Sequence, residues 1–574
     1  MEKTTPNAEE RAQAWLETFF DAATRAEVQQ LIDGDADLLQ DAFYCDLEFG
    51  TGGLRGKMGA GTNRVNAYTI RQATKGFSNY LRSAFGDGDF SVAIAYDSRN
   101  NSRSFAMNAA GVLAYDGFNV YVFEDMRPTP ELSFAVRNLG CKGGIVVTAS
   151  HNPPEYNGYK VYWEDGAQVL DPHDTGIINE VRKVKIEEVK FDEQSERIKF
   201  IAEDIDEAYI AAVLDNCIEP AAIRRQADLP LVYTSLHGTG ITLLPEVLKR
   251  LGFTNVHIEA SQAIPDGYFS TVESPNPEEP EALSRAIQLA TEKGAALVLG
   301  TDPDADRVGI AIPQGGGYRL LNGNETGAML THYQLSRLKA NGRLPENGFV
   351  ALTIVTSDLI RRIGVGFGLP VYETLTGFKY IAGVIREKEG VEKFVTGGEE
   401  SYGYMIGDFV RDKDGIAASA MICEMFAWLK DNHLDATAYL EQIHREYGAF
   451  QEVLISMKRE GLKGREEIAA MISQFRMNPP KVVDGVDVEY VIDYKAKTKK
   501  NIISGTEEMV NLPSSNVVQY ILKDGSCITG RPSGTEPKVK FYISVRSEVG
   551  ADYSTTMKSL KERIIRITNE LGLN

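Results

Sequence analysis

The alternation of apolar and polar positions predicts short strands that end in small or acidic residues. A helix-like spacing follows each of these mostly β-branched runs. Strands that alternate with helices indicate α/β units around mostly parallel sheets with both faces covered. Ligand-binding groups are then expected just beyond the strand ends. The runs are "SVAIAYDSR", "GGIVVTASHN", "LVYTSLHGTG", "ALVLGTDPDADR", "VALTIVTSD" and "KFVTGGEESYGY".

The chain after about Tyr447 follows a different pattern. "NVVQYILKDGSCITG" and "KVKFYISVRS" alternate as antiparallel strands do, and a last helix follows them. That helix carries an apolar stripe that predicts packing against a core. The stripe consists of Met557, Leu560, Ile564, Ile567 and Leu571.

The length of 574 residues suits about four domains, at roughly 150 residues each. Changes in pattern place soft boundaries near Asp206, Asn322 and Tyr447. We therefore predict domains at 1–205, 206–321, 322–446 and 447–574.

Composition narrows the class of protein. Hydrophobic residues make up 43% and charged residues 25% of the chain, as in soluble globular proteins. The net charge of −20 argues against nucleic acid and anionic membranes as partners, since both select basic surfaces. The N-terminus lacks an apolar signal core, and the 5 scattered cysteines favour neither disulfides nor zinc. We expect a cytoplasmic protein.

The segment "GTDPDADR" predicts a metal site. Asp302, Asp304 and Asp306 alternate directly after an apolar strand, where three carboxylates need a cation to neutralise them. Hard oxygen ligands suit Mg²⁺. An EF-hand is excluded, because the sixth and twelfth positions are Arg307 and Pro313 instead of Gly and Glu. A phosphatase in which Asp302 is the nucleophile stays an alternative.

The segment "GRPSGTEPKVK" predicts a phosphate site. Arg531, Ser533 and Thr535 supply donors, and Gly534 permits a nest of backbone N–H groups. The P-loop pattern of nucleotide-binding proteins is missing from the sequence.

The segment "GGEESYG" indicates recognition of sugar hydroxyls. Glu399, Glu400 and Ser401 follow another strand and can both accept and donate hydrogen bonds. A glycosidase would also use two carboxylates, but it would leave the phosphate and metal segments without a role.

Two further residues follow strand-end or glycine-rich segments. Arg55, in "FGTGGLRGKMGAGTNR", is interpreted as an anion contact on a flexible turn, since this segment is no dinucleotide-binding motif. His237, in "SLHGTG", is interpreted as structural, with a backbone hydrogen bond.

Together, "TASHNP", "GTDPDADR", "GEESYG" and "RPSGTEPK" resemble the four signature loops of the α-D-phosphohexomutase superfamily, in the same order. The resemblance spans Gly50 to Ile543. Within that superfamily, "FGTGGLRG", "TLTGFKY" and the length resemble the bacterial phosphoglucomutase branch near the phosphopentomutases. The resemblance implies an α/β fold with a heart-shaped, four-domain architecture: three similar α/β domains and a smaller α+β C-terminal domain.

The resemblance also implies catalytic roles. Ser150 would carry a phosphoryl group and, with Asp302, Asp304 and Asp306, contact Mg²⁺. Lysines whose pKa is lowered by neighbouring cations would move protons. The candidates for proton transfer are Lys160 and Lys413, and those for stabilising the phosphoryl group are Arg55, His151 and Arg307.

On the substrate side, the resemblance implies one set of sugar contacts and one set of phosphate contacts. The sugar contacts are Thr376, Gly377, Lys379, Glu399 and Ser401, and the phosphate contacts are Arg531, Ser533, Gly534, Thr535 and Lys540. Two positions depart from the pattern: Phe378 replaces a Trp of many glucose-preferring relatives, and Lys540 replaces an Arg. A lysine cannot bind phosphate bidentately.

The implied reaction interconverts α-D-glucose 1-phosphate and glucose 6-phosphate, with glucose 1,6-bisphosphate as primer. Mannose and pentose phosphates are the alternatives within the same mechanism. A sugar-phosphate sensor without catalysis is the alternative from another class. The expected partners are small sugar phosphates, and the expected assembly is a monomer or weak dimer.

Overall fold

The computed structural model describes residues 7–50, 52–459, 461–532 and 538–573. Backbone contacts divide the chain into two compact units. The first comprises Met1–Asn322, Ala382–Val395 and Ser401–Asp431, and the second comprises Gly323–Ile381, Thr396–Glu400 and Asn432–Asn574. Within the described ranges, every helix is too short or too polar to cross a membrane.

Three helices form the N-terminal segment of the first unit. Each follows an Asn or Asp whose side chain accepts a hydrogen bond from an N–H group of the first turn. Trp15 and Phe20 are buried between these helices and pack on Tyr68 of the next helix. The helices are α1 (Ala8–Ala14), α2 (Ala22–Asp33) and α3 (Ala36–Phe43).

The first sheet has six strands in the order β1-β5-β4-β2-β3-β6. Strands β2, β3, β4 and β6 run parallel to one another. Strand β5 pairs antiparallel with β4, and β1 pairs antiparallel with β5 at the edge of the sheet. Both faces are covered, since Val92 and Ile94 of β2 belong to one core cluster and Ala93 and Ala95 to another. The elements are β1 (Gly53–Lys57), α4 (Ala67–Phe85), β2 (Ser91–Tyr96), α5 (Ser102–Tyr115), β3 (Asn119–Phe123), α6 (Thr129–Asn138), β4 (Gly143–Val147), β5 (Tyr156–Trp163), α7 (His173–Val181) and β6 (Ile198–Ile201).

The second sheet, also in the first unit, has the order β11-β10-β9-β7-β8. Strand β7 pairs in parallel with β8 and with β9. Strand β10 pairs antiparallel with β9, and β11 pairs antiparallel with β10. The elements are α8 (Glu203–Asp215), α9 (Pro220–Arg225), β7 (Leu231–Thr234), α10 (Leu244–Leu251), β8 (Val256–Ile258), α11 (Ser284–Lys293), β9 (Leu297–Thr301), β10 (Val308–Gln314) and β11 (Gly317–Leu321).

Three of the predicted strand-to-helix steps are wrong. Strand β4 is followed by β5, and β9 by β10, and each of these two pairs is antiparallel. The strand of "KFVTGGEESYGY", Lys393–Gly398, is likewise followed by a strand, Tyr404–Ile406. Strands β5 and β10 are largely buried, and local spacing does not separate a short buried strand from a buried helix. The Ser150 and Asp302 segments are therefore the connections of two β-hairpins.

The placement of Arg55 on a flexible turn is also wrong. Arg55 lies in β1 and pairs in register with Gly158 of β5. A Cβ at Gly158 would lie 2.5 Å from the carbonyl oxygen of Thr148, so glycine permits the close strand approach. This pairing joins segments about a hundred residues apart along the chain, which a local pattern does not reveal.

The third α/β region contributes residues to both units. In the second unit, β12 and β13 pair in parallel. The elements are α12 (Gly323–Ala340), β12 (Gly348–Thr353), α13 (Asp358–Gly366), β13 (Val371–Thr374), α14 (Phe378–Lys388), β14 (Lys393–Gly398), β15 (Tyr404–Ile406), α15 (Gly415–Asp431) and α16 (Ala436–Tyr447).

The C-terminal region of the second unit is built on an antiparallel sheet, as the sequence predicts. Its main path is β16-β23-β22-β21-β18-β19-β20, and β17 pairs with β18. The predicted stripe of the last helix is confirmed, since Leu560, Ile564 and Ile567 are buried in the core of this region. The elements are β16 (Ala449–Lys458), α17 (Gly461–Met477), β17 (Val482–Val483), β18 (Val486–Asp493), β19 (Thr498–Asn501), β20 (Glu507–Met509), β21 (Val518–Leu522), β22 (Cys527–Pro532), β23 (Lys538–Ser547) and α18 (Tyr553–Glu570).

Candidate active site

Ser150 lies in the connection between β4 and β5 with an uncommon backbone conformation. Its φ of 52° lies in the left-handed region, and its N–H donates to Oγ1 of Thr148 at 2.8 Å. The Ser150 hydroxyl donates to Oδ2 of Asp302 at 2.7 Å, and the residue is 3% exposed. Strained backbone of this kind is retained where the surroundings determine it. The loop therefore fixes the hydroxyl against the acidic segment.

Arg99, which the sequence did not single out, holds this loop. Its guanidinium donates to the carbonyls of Pro153 at 2.9 Å and Tyr156 at 3.1 Å, and also to those of Ser150 and Asn152. The buried guanidinium thus donates hydrogen bonds to four backbone carbonyl groups in and next to the Ser150 turn, where regular strand pairing does not provide donors.

Asp97 completes the arrangement around Arg99. The two side chains form an ion pair at 3.2 Å and are both fully buried. The Asp97 carboxylate also accepts from the hydroxyl of Thr148 at 2.6 Å and that of Ser102 at 2.7 Å. The signal in the sequence is "YDSR" directly after β2, where ligand-side groups of an α/β sheet are expected.

Three carboxylates converge beside Ser150. Asp302, Asp304 and Asp306 follow β9, are at most 2% exposed, and each offers an oxygen within 4.8 Å of the others. Oδ1 of Asp304 and Oδ1 of Asp306 are buried and accept no hydrogen bond within the described part of the chain. Buried oxygens of this kind are ligands for a hard divalent cation, so the residues present fit a metal ion.

Burial and neighbouring charges shift the pKa values of Asp302 and Asp306 in opposite directions. Burial raises the pKa of Asp302 well above its usual value, and Asp304 and Asp306 raise it further. Burial also acts to raise the pKa of Asp306, but Lys160, Lys413 and Arg307 together lower it below its usual value. A cation at this position would favour the charged form of Asp302.

Lys160 and Lys413 lie among these acids instead of on the surface. Nζ of Lys160 is 2.7 Å from Oδ2 of Asp304 and 3.1 Å from Oδ2 of Asp306. Nζ of Lys413 is 3.2 Å from the same Asp306 oxygen and 3.1 Å from Oδ1 of Asp412.

The expectation of a lowered lysine pKa is wrong for Lys160. Burial lowers the pKa of this ammonium group, but Asp304 and Asp306 raise it more, and the net direction is upward. The neighbouring carboxylates outweigh the neighbouring cation Lys413.

The three candidates for contact with the phosphoryl group lie around the same loop. The N–H of Arg307 donates to Oδ1 of Asp302 at 3.1 Å, and its guanidinium pairs with Glu278. Nδ1 of His151 is 3.3 Å from Oγ of Ser150. Burial lowers the pKa of His151 well below its usual value, and Arg307 and Arg55 lower it further, so the ring is neutral.

Arg55 reaches this loop from β1. Its Nη1 donates to Oδ1 of Asn152 at 3.1 Å, and the residue is exposed. His237, by contrast, is structural as predicted: Nδ1 contacts the carbonyl of Ile264 and Nε2 the hydroxyl of Thr271, both at 2.8 Å.

In the second unit, Glu399 contacts Gly377, another of the predicted sugar-binding residues. The N–H of Gly377, which has a φ of 120°, donates to Oε1 of Glu399 at 2.9 Å. Oγ1 of Thr376 is buried and has no hydrogen-bond partner among the described residues. The Lys379 ammonium lies 5.2 Å from the ring centroid of Tyr380. Ser401 belongs to the first unit and is partly buried.

Arg531 and Lys540 are direct cross-strand partners on β22 and β23. Side chains at such positions face each other on one side of the sheet, and like charges there are unfavourable unless an anion joins them. Burial raises the pKa of Tyr542, Glu400 raises it further, and Arg531 lowers it, so the acidic segment and Arg531 both act on this tyrosine. Ser533, Gly534 and Thr535 lie outside the described residues.

The site combines a fixed serine hydroxyl, three buried carboxylates and two buried lysines, a set of groups that suits metal-assisted group transfer. Comparison with known proteins assigns the family. Models described as phosphoglucomutase/phosphomannomutase alpha/beta/alpha domains I, II and III match residues 46–188, 207–316 and 322–446. The chain belongs to the phosphoglucomutase/phosphomannomutase family.

Individual relatives agree with this assignment. A phosphoglucomutase of Staphylococcus haemolyticus is 39% identical over 508 residues, which is 88% of this chain and 91% of the relative. A phosphoglucomutase of Staphylococcus aureus (strain USA300) is 36% identical over 536 residues, 92% of this chain and 95% of the relative.

Solved structures share the fold. The open form of pp63/parafusin, a phosphoglucomutase from Paramecium, has a TM-score of 0.69 at 17% identity and covers 92% of this chain and 96% of its own. A phosphoglucomutase/phosphomannomutase family protein of Burkholderia thailandensis has a TM-score of 0.63 at 20% identity, with 91% and 97% covered. The predicted superfamily and the predicted fold class, three α/β domains and a smaller C-terminal domain, are confirmed. The four domain boundaries stay a prediction.

Proposed function

We propose that the protein is a phosphoglucomutase that interconverts α-D-glucose 1-phosphate and glucose 6-phosphate through phospho-Ser150. The observation that carries this proposal is the Ser150 hydroxyl, fixed 2.7 Å from Asp302 within a buried cluster of three carboxylates. The family membership supports the same reaction. Phosphomannomutase or phosphopentomutase activity would use this centre in the same way.

The proposed cofactor is Mg²⁺, held by Asp302, Asp304 and Asp306 with an oxygen of phospho-Ser150. Such an ion neutralises charge on a phosphoryl group during transfer. Arg307 and His151 lie beside the same serine and supply donors to the phosphoryl oxygens. Arg55 extends the cationic surface on the exposed side of the loop.

The proposed transfer breaks the bond between phosphorus and Oγ of Ser150 and forms a bond between phosphorus and a sugar hydroxyl oxygen. The proton of that hydroxyl passes to the protein, and Oγ of Ser150 regains a proton. Lys160 and Lys413 are the groups assigned to this exchange. The product is a sugar bisphosphate, which turns around and returns its other phosphoryl group to Ser150. Glucose 1,6-bisphosphate therefore primes the unphosphorylated enzyme.

Because the sugar bisphosphate reorients between the two transfers, the substrate-binding part of the site must accept either of its phosphate groups. Arg531 and Lys540, with Ser533, Gly534 and Thr535, are assigned to the distal phosphate. Thr376, Gly377, Lys379, Glu399 and Ser401 are assigned to the sugar hydroxyls. The partners are small sugar phosphates, the compartment is the cytoplasm, and the assembly is a monomer or weak dimer.

The test is a panel of glucose, mannose and pentose 1-phosphates assayed with Mg²⁺, with and without glucose 1,6-bisphosphate. We expect the highest kcat/KM with glucose 1-phosphate and a requirement for the bisphosphate. Intact-mass measurement should show an adduct of about 80 Da, the mass of one phosphoryl group. A preparation without adduct and without isomerisation of any sugar phosphate would instead support a sensor.

The phosphatase alternative is separated by two variants. A mutase loses turnover in both Ser150→Ala and Asp302→Asn, because one variant removes the phosphoryl carrier and the other a ligand. A phosphatase with an Asp302 nucleophile would keep turnover in Ser150→Ala and lose it in Asp302→Asn.

A further inference from the structure

A cavity of about 340 Å³ lies between the N-terminal helices and α4 in the first unit. None of its lining residues belongs to the candidate active site. Four aromatic rings and one cation dominate the lining: Phe19, Phe20, Tyr68, Phe191 and Arg71. The volume lies at the small end of the range for ligand sites, roughly 300–1,000 Å³, so it suits a compound of one or two rings.

Arg71 presents a cation to this cavity without an acid at contact distance. Its Nε donates to Oδ1 of Asn108 at 2.5 Å, and its guanidinium carbon lies 3.7 Å from the ring centroid of Phe191. In the part of the chain that the structure describes, Arg71 forms no ion pair within 4.0 Å. Burial lowers the pKa of this guanidinium, although Glu193, Tyr68 and Asp21 act in the opposite direction. A partly desolvated cation without an acid at contact distance attracts an anion.

The one acid in the lining is already engaged. Asp21 accepts from the N–H of Thr24 at 2.9 Å, from the hydroxyl of Thr24 at 2.8 Å and from the hydroxyl of Tyr68 at 2.8 Å. The N-terminus of α2 adds a further favourable interaction with this carboxylate. Among the described residues, Asp21 therefore forms no ion pair with Arg71, although its charge acts on Arg71 at longer range. The guanidinium of Arg71 remains the donor group for a ligand anion.

The aromatic rings give the ligand its second property. Phe19 is 42% exposed and Phe191 is 40% exposed, whereas Phe20 and Tyr68 are buried behind them. Exposed rings beside a cation favour a flat apolar body that carries one anionic group. A sugar phosphate, with a hydroxyl on nearly every carbon, would leave those hydroxyls against apolar walls.

Two stretches of chain that line the cavity, residues 18–21 and the stretch around Phe191, lie outside the region that the family models match. Residues 18–21 precede the first matched residue, 46, and Phe191 follows the end of that match at 188. We propose that this cavity binds a small aromatic monocarboxylate, with the carboxylate on Arg71 and the ring against Phe19 and Phe191. The ligand would join the N-terminal helices to α4.

The test is calorimetric titration of the full-length protein with 2-naphthoate. We expect saturable binding to one site, at least tenfold tighter than that of 2-naphthalenemethanol, which has the same rings without the charge. Trp15 provides a second readout, because its ring stacks on Phe20 at 4.5 Å and its fluorescence should change on binding.

Two variants on α4 separate the proposed contact from general effects. Arg71→Met should weaken 2-naphthoate binding at least tenfold. Arg82→Met is the matched control, since Arg82 lies on the same helix with its guanidinium carbon 4.1 Å from the Phe118 ring, away from the cavity lining. Phe19→Ala, at an exposed position, should weaken binding several-fold and tests the site even if Arg71→Met does not fold.

Three outcomes would overturn the proposal. The first is no saturable binding of 2-naphthoate to the wild-type protein. The second is binding that neither Arg71→Met nor Phe19→Ala weakens. The third is displacement of 2-naphthoate by glucose 6-phosphate, which would place the compound at a sugar-phosphate site. Because binding is measured directly, these results are independent of the mutase assay.

Discussion

Ser150 and the three aspartates of the first unit are at most 3% exposed, whereas Arg531 and Lys540 of the second unit keep part of their surface in solvent. Hydrogen bonds and ion pairs from residues just after β2, β4 and β9, and from Lys160 of β5, fix the serine centre. The two cations instead face each other across one strand pair. Under the proposed function, substitutions at the serine centre should lower kcat, and substitutions at the cation pair should raise KM.

The largest expected effect is that of Ser150→Ala. Removal of the phosphoryl carrier should lower kcat by about 10⁴-fold or more, as loss of a covalent nucleophile does elsewhere. The adduct of about 80 Da should disappear from the intact mass at the same time. Ser284→Ala is the control, since the Ser284 hydroxyl donates to the carbonyl of Glu281 at 2.8 Å at an exposed position of α11. Full turnover by Ser150→Ala would exclude a phosphoserine mechanism.

Asp302→Asn should separate catalysis from stability. Loss of a metal ligand should lower kcat by about 10²–10³-fold. Burial and two neighbouring acids raise the pKa of Asp302, so this group opposes folding of the metal-free protein at any pH above the usual carboxyl pKa. In EDTA, the variant should therefore unfold at the same or a higher temperature than the wild type. Mg²⁺ should stabilise the wild type more than the variant.

A metal-free variant clearly less stable than the metal-free wild type would contradict this account of Asp302. It would mean that the hydrogen bond from Ser150 outweighs the repulsion among the carboxylates.

Local sequence indicated the candidate metal ligands and missed Arg99, which contacts the Ser150 loop. Asp302, Asp304 and Asp306 follow an apolar strand, and their type and spacing predict a metal site, whereas the role expected of Ser150 rests on the family resemblance. Arg99 acts on carbonyls more than fifty residues away, and backbone carbonyls carry no residue identity. The strand position of Arg55 and the raised pKa of Lys160 also depend on partners that only the folded chain brings near.

Arg99→Met tests this holding function. The substitution leaves the carboxylate of Asp97 buried without its ion pair, which should lower the free energy of unfolding by about 3–5 kcal/mol. Displacement of the Ser150 loop should lower kcat about 10²-fold with little change in KM, since a shift of about 1 Å has that cost. Chemical denaturation and steady-state kinetics measure the two effects.

The double variant Asp97→Asn with Arg99→Met sharpens the result. It removes the buried charge and should recover part of the stability, but it still lacks the four carbonyl contacts and should not recover kcat. Recovery of both quantities together would show that Arg99 acts on stability alone.

Arg531→Met should have a smaller effect, and it should change KM more than kcat. Loss of a charged hydrogen bond of about 1.5–3 kcal/mol should raise KM by about 10–10²-fold and change kcat less. Stability should be unchanged or slightly higher, because the substitution removes a like charge from a directly paired position. A fall in kcat without a rise in KM would contradict the proposed division between the two regions.

Lys540→Arg should have the smallest effect, a decrease in KM. Lysine binds phosphate as a point charge, whereas a guanidinium donates two parallel hydrogen bonds, so the variant should lower KM by about threefold at equal kcat. Lys540 is partly exposed and pairs with Arg531 and Ser456 on its neighbouring strands, which leaves the charge pattern of the sheet unchanged. Lys540→Met is the matched loss of charge, and its KM should rise. If both variants left KM unchanged, Lys540 would have no part in binding the distal phosphate, and that role would fall to Arg531.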